Sequence, residues 1–74
     1  MSVFRENLLS LRKKAGLSQK DLAEKLGFSY HSYRRYESGE TEPTLSALVR
    51  IADYFEVSLD RLAGRNEDGV SELF

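Results

Sequence analysis

The chain has 74 residues, 41% of them hydrophobic and 31% charged, with a formal net charge of −1, one proline, one histidine and no cysteine. That length gives one small domain with little room for a catalytic cavity. The composition is too apolar for disorder, holds no run near the ~20 apolar residues of a bilayer span, and excludes disulfides, thiolate zinc sites and cysteine nucleophiles. Taken in chain order, the predicted elements are all helices. Phe4, Leu8, Leu11 and Ala15 recur at i, i+4, i+7 and i+11, the stripe of a first helix that Ser2 can cap and Gly16 can stop. Arg5 and Glu6 interrupt this opening segment, so it has no secretion-signal core. A second helix opens at Ser18, where Ser-Gln-Lys-Asp forms a variant capping box, buries Leu22, Ala23 and Leu26, and stops at Gly27. Ser29 caps a third helix that runs through Ser38, with Tyr33 and Tyr36 inward and Gly39 as its stop.

Residues 40–43 form a loop, because proline disfavours helical geometry in the residue before it. Thr44 caps a fourth helix with Leu45, Leu48, Ala52 and Phe55 inward. Ser58 caps a short fifth helix with Leu59 and Leu62 inward, ended by Gly64. No segment alternates with period two long enough to make a strand. The predicted organisation is a helical domain over residues 1–64, then a polar linker and a short apolar tail over 65–74 that carries Val70, Leu73 and Phe74.

Charge divides unevenly along the chain. Residues 1–36 hold eight Lys/Arg against three acids, a net of +5, and residues 37–74 hold three against nine, a net of −6. This pattern suits a domain with one polyanion-facing side; plain solvation of a helical surface is the lesser alternative. The acidic sequence pI of about 5.8 argues against indiscriminate nucleic-acid binding.

The second and third helices carry the functional signal. A turn of about three residues beginning at Gly27 joins them, which forces a steep crossing rather than an antiparallel hairpin. Ala23 allows close approach, Gly27 supplies positive φ, and Leu22, Leu26, Phe28, Tyr33 and Tyr36 fill the wedge. In this order and spacing they read as a helix-turn-helix. The outer face of the third helix then presents His31, Arg35 and Ser38, with Arg34 at its edge and Tyr30 in its first turn. Arg35 is the leading base reader, since a guanidinium pairs bidentately with guanine O6 and N7; a phosphate contact is its alternative. His31 can donate to or accept from a base edge without any metal. Tyr30 meets a thymine methyl, stacks along the backbone or packs on the second helix. Ser29 caps its helix and can also read. Ser18, Ser38 and Lys20 are candidate phosphate contacts. Arg12 and Glu37 both lie on inward stripes, which suggests a partly buried ion pair; the other course for Arg12 is to snorkel to solvent on its stem.

The phrases Leu-Arg-Lys-Lys-Ala-Gly-Leu-Ser-Gln (11–19), Asp-Leu-Ala-Glu-Lys-Leu-Gly-Phe-Ser (21–29), Tyr-Arg-Arg-Tyr-Glu-Ser-Gly (33–39) and Val-Ser-Leu-Asp-Arg-Leu (57–62) resemble the phage-repressor/Cro-like regulators of bacteria and their viruses. The resemblance runs over residues 4–62. It implies an all-α, five-helix, lambda-repressor-like fold whose third helix enters the major groove of double-stranded DNA, usually in a two-fold dimer. It also implies a phosphate bond and a bracing role for Gln19, the Arg12–Glu37 pairing, and a cytoplasmic protein of bacterial or phage origin that associates with the nucleoid when bound. One departure stands out: where many relatives carry basic residues after the recognition helix, this chain has Glu40 and Glu42, which repel phosphates.

The function expected is a sequence-specific transcriptional regulator, most simply a homodimeric repressor that occludes a pseudo-palindromic operator. Val57, Leu59, Leu62 and the tail are the dimer candidates. A competing reading is an antitoxin or anti-repressor-like interaction module with weak DNA affinity, favoured by the acidic second half. That reading expects an apolar third helix, and this one carries histidine, two arginines and serine. No paired carboxylates, nucleophile–base pair or phosphate-cradling glycine loop points to an enzyme, and no cofactor, metal, membrane or small-molecule ligand is expected.

Overall fold

Four of the five helices begin where a hydroxyl takes up an orphan backbone amide. In the computed structural model, which describes residues 2–64, the helices are α1 (Ser2–Ala15), α2 (Gln19–Leu26), α3 (Tyr30–Ser38), α4 (Leu45–Phe55) and α5 (Leu59–Ala63). Ser18, Ser29, Thr44 and Ser58 sit in extended geometry just before α2, α3, α4 and α5, and each side chain accepts the amide of the residue three further on. Left-handed residues end α2 to α5. Three of these are glycines, and the fourth, Glu56 at φ 56°, closes α4 without one. Ser2 falls inside α1 rather than ahead of it.

The core gathers Phe4 and Leu8 from α1, Leu22, Ala23 and Leu26 from α2, Tyr33 from α3, Ile51 and Ala52 from α4, and Leu62 from α5. Leu11, Leu17, Phe28, Tyr36, Leu48, Phe55 and Val57 pack around it, half-buried. α1 lies against α3 and α5, α2 against α3 and α4, and α4 against α5. Those contacts close on α3 from one side and leave its other face open.

Four sequence expectations are corrected. Leu45 is 70% exposed, while α4 buries the stripe of Ala47, Ile51 and Ala52, flanked by Leu48 and Phe55. Leu45 lies within about 20° of Ala52 round the axis but two turns before it, as the first residue of α4. Leu59 is 40% exposed because a helix of five residues turns one leucine inward, and that leucine is Leu62. Leu62, fully buried in the core, is therefore not available as a dimer contact. Ala15, at the end of α1, extends past the core and is exposed. The expected linker and tail, with Val70, Leu73 and Phe74, lie outside the described residues.

Candidate nucleic-acid interface

The turn between α2 and α3 is set by its backbone. Gly27 adopts φ 79°, and its amide reaches back to the carbonyls of Ala23 and Glu24. The amide of Phe28 bonds the Ala23 carbonyl at 2.9 Å. A non-glycine residue in this left-handed conformation is strained, and a Cβ here would also lie 2.9 Å from Arg50 Nη1. Arg50, on α4, donates from that nitrogen to the Leu26 carbonyl at 3.1 Å and holds its guanidinium 5.8 Å from the Phe28 ring. A cation thus rests on the carboxyl end of α2, where the helix dipole favours positive charge. Phe28 meets Tyr36 edge to face with ring centroids 5.8 Å apart, so turn and helix are joined on that side too. Nothing near Arg50 in the sequence singles it out, because its partner carbonyl lies 24 residues away.

The inner face of α3 is fixed by one carboxylate. Glu37 is buried, and Arg12 of α1 reaches it with Nε at 2.7 Å from Oε2 and Nη2 at 3.2 Å from Oε1. The remaining terminal nitrogen of Arg12 donates to the Leu17 carbonyl at 2.9 Å. Gln19 of α2 donates to Glu37 Oε1 at 2.8 Å, and the hydroxyl of Tyr33 donates to Oε2. Three helices therefore converge on Glu37. Burial pushes its carboxyl up, but the hydrogen bonds from Arg12, Tyr33 and Gln19 overcome that and hold it below the usual carboxylate range. Burial, then the hydrogen bond to Glu37, pushes the Tyr33 phenol far up, so it stays a donor. The bond to Glu37 raises the Arg12 guanidinium against its own burial.

The outer face of α3 is open. Ser29, Tyr30, His31, Arg34 and Ser38 are exposed and Arg35 is half-buried. Gln19, His31, Arg34, Arg35, Glu37, Ser38 and Glu40 line a depression of about 240 Å³. The Arg34 guanidinium lies 5.7 Å from the Tyr30 ring centroid, and Arg35 Nε lies 3.7 Å from Glu40 Oε1. Lys20 is exposed beside Gln19. The Ser18 hydroxyl accepts the Asp21 amide and keeps its own hydrogen to donate. Ser38 differs, because its hydroxyl already donates to the Arg35 carbonyl at 3.2 Å. The structure thus brings the α3 residues and Gln19 onto one surface and sets Arg12 behind it. Among the described residues no group of His, Asp or Glu is arranged to hold a metal ion, and no helix is long and apolar enough to cross a membrane.

The chain is similar to known proteins in sequence and fold. A family model described as helix-turn-helix matches residues 8–62. The transcriptional repressor RstR of the cryptic phage CTXphi in Vibrio cholerae is 46% identical over 62 residues, 84% of this chain and 55% of the relative. The HTH-type transcriptional regulator YqaE of Bacillus subtilis is 42% identical over 60 residues, 81% of this chain and 52% of the relative. A crystal structure of a transcriptional regulator from Listeria innocua superposes with a TM-score of 0.73 at 42% identity, covering 80% of this chain and 55% of the other. The chain spans about half the length of the curated relatives it matches.

Proposed function

The chain belongs to the Cro/C1-type helix-turn-helix family of phage and bacterial transcriptional regulators, and from that membership we propose that it is a sequence-specific double-stranded-DNA-binding repressor. It works in the cytoplasm, on the nucleoid. The observation that carries this reading is the two-sidedness of α3: Tyr33 and Glu37 are bonded inward, while His31, Arg34 and Arg35 stand on the outer face. A helix held in this way can enter the major groove and present side chains in fixed register. Arg35 pairs with guanine, His31 and Ser29 meet neighbouring base edges, and Tyr30 sits where a thymine methyl would pack. Arg34, stacked over Tyr30, works at the groove edge. Gln19 retains one amide hydrogen for a phosphate after bracing Glu37, and Ser18 and Lys20 flank it. Ser38 contributes least, its hydroxyl being tied to the Arg35 carbonyl.

The repressor named among the relatives supports repression, and occlusion of the operator is its simplest form. Dimerisation fits the apolar corner between α4 and α5, where Tyr54 and Leu59 are exposed and Val57 is half-buried. Two copies joined there would read half-sites about one turn, ~34 Å, apart. The interaction-module reading asks for an apolar docking face on α3, and the exposed charges leave none there.

The test is selection of bound fragments from a randomised duplex pool at two salt concentrations. A symmetric motif with ~10 bp between half-site centres, and affinity that falls steeply with salt, is the expected result. Weak, uniform binding with no motif would overturn the proposal.

A further inference from the structure

The carboxyl end of α3 holds an arrangement that the proposed function leaves unused. Gly39, left-handed at φ 86°, ends the helix, and the amide of Glu40 turns back to the Arg35 carbonyl at 3.0 Å. The Gly39 amide bonds the same carbonyl at 3.1 Å, so the turn joins the 6→1 bond of a Schellman motif to the 5→1 bond of an αL cap and brings the residue after the glycine against the helical residue five before it. Two apolar side chains usually meet there. Here they are a guanidinium and a carboxylate, with Arg35 Nε 3.7 Å from Glu40 Oε1. Ser38 reinforces the turn, its hydroxyl donating to the Arg35 carbonyl at 3.2 Å and accepting from the Glu40 amide at 3.4 Å. The main chain thus sets the Glu40 backbone beside Arg35, and the exposed carboxylate, 67% accessible, completes the approach through a weak ion pair. Both side chains line the depression shared with His31 and Arg34.

The geometry points to Glu40 as a positioning residue that commits Arg35 to base edges. Its carboxylate approaches the guanidinium from the Nε side, so the two terminal nitrogens stay open, and their fork matches guanine O6 and N7. A guanine edge carries no net charge and can be bound with Glu40 still in place. A phosphate is an anion, and Arg35 can take one only against the repulsion of Glu40. The carboxylate therefore lowers the sequence-independent part of binding more than the base-reading part. An acid that simply weakens the grip of the loop would lower both alike. This inference rests on the DNA-reading function proposed above and names the residue that sets its discrimination.

The experiment compares Glu40→Gln, Arg35→Gln and the double variant against two probes at one salt concentration. One probe is the duplex recovered from the selection, and the other is a random-sequence duplex of the same length. Glu40→Gln is expected to raise affinity for the random duplex about two- to fivefold, the size of an exposed charge-pair coupling. Affinity for the selected duplex does not rise with it, so the ratio of the two falls by that factor. With Arg35→Gln already present, the second substitution moves both probes equally and leaves the ratio unchanged. An equal gain on both probes from Glu40→Gln alone overturns the inference, as does a falling ratio that persists without Arg35. An unsubstituted chain that prefers neither probe refutes the DNA-reading function first, and the positioning role with it.

Discussion

Replacing Arg12 by alanine tests whether the reading helix is held from behind. The Arg12 side chain is 14% exposed and that of Glu37 4%, so water and salt screen the pair little. Alanine removes the Arg12 bonds to both carboxylate oxygens and to the Leu17 carbonyl. It leaves a buried carboxylate supported by Tyr33 and Gln19 alone. Breaking a buried pair from one side costs about 3–5 kcal/mol, and the two surviving donors put this case at the lower end, about 3 kcal/mol. A domain of this size is stable by roughly 3–9 kcal/mol in total. The midpoint of thermal unfolding should therefore fall by about 12–24 °C, followed by far-UV circular dichroism. Arg12→Met, which keeps the aliphatic stem, separates packing from charge. A fall of less than about 4 °C in Arg12→Ala would refute the reasoning. So would additive losses, within about 0.5 kcal/mol, when Arg12→Ala and Glu37→Gln are combined.

The other expectations concern the same framework and the surface it supports. The folded Glu37 carboxyl lies below its unfolded value of about 4.3, so its stabilisation is complete above that pH and is lost as pH falls through the folded value. Melting midpoints measured downward from about pH 4 should drop more steeply in the unsubstituted chain than in Glu37→Gln, and parallel slopes would contradict this. Gly27→Ala places an L-residue at φ 79° and presses on Arg50; urea unfolding should register a loss of about 1–2 kcal/mol, and an unchanged midpoint would contradict it. Glu56→Gly relieves the left-handed cap of α4 and should raise the thermal midpoint by up to about 4 °C, where a fall would show no strain to relieve. Arg35→Ala should weaken binding to the selected duplex by about 1–3 kcal/mol and relax the base preference at one position per half-site; a uniform loss across all sequences would recast Arg35 as a phosphate contact.

The helix ends were legible because their signals are local. Ser18, Ser29, Thr44 and Ser58 lie before apolar stripes, and Gly27, Gly39 and Gly64 follow them, so caps and stops can be read within four residues. The face of α4 was legible in part: Leu48, Ala52 and Phe55 lie in or against the core as their spacing predicts, and Leu45 does not. Leu45, Ala47, Leu48, Val49, Ile51, Ala52, Tyr54 and Phe55 cover more than half of the circumference of that helix, opposite Ser46, Arg50 and Asp53, and periodicity alone does not mark where the buried arc ends. Contact with α2 and α5 makes the choice, and it buries Ile51 while leaving Leu45 in solvent. Glu56 gave no signal either, because a left-handed glutamate looks like any other surface acid until the chain is seen to turn there.

The site separates along the same line, with one exception that changes how its acids are read. Arg12 and Glu37 stood out as charges on inward stripes, whereas the link from Arg50 to Leu26 depends on how α4 docks and leaves no trace in either neighbourhood. Glu40 belongs to neither class. It is five residues from Arg35, and Gly39 between them announces the turn that brings the two together. What hid the pairing was the sign of the charge, since an acid after a recognition helix reads as repulsion toward phosphate. On the positioning role proposed above both effects hold at once, because the carboxylate lies 3.7 Å from Nε of Arg35, the proposed base reader. An acidic residue beside the reading helix can therefore lower affinity for DNA in general and still sharpen the choice of sequence.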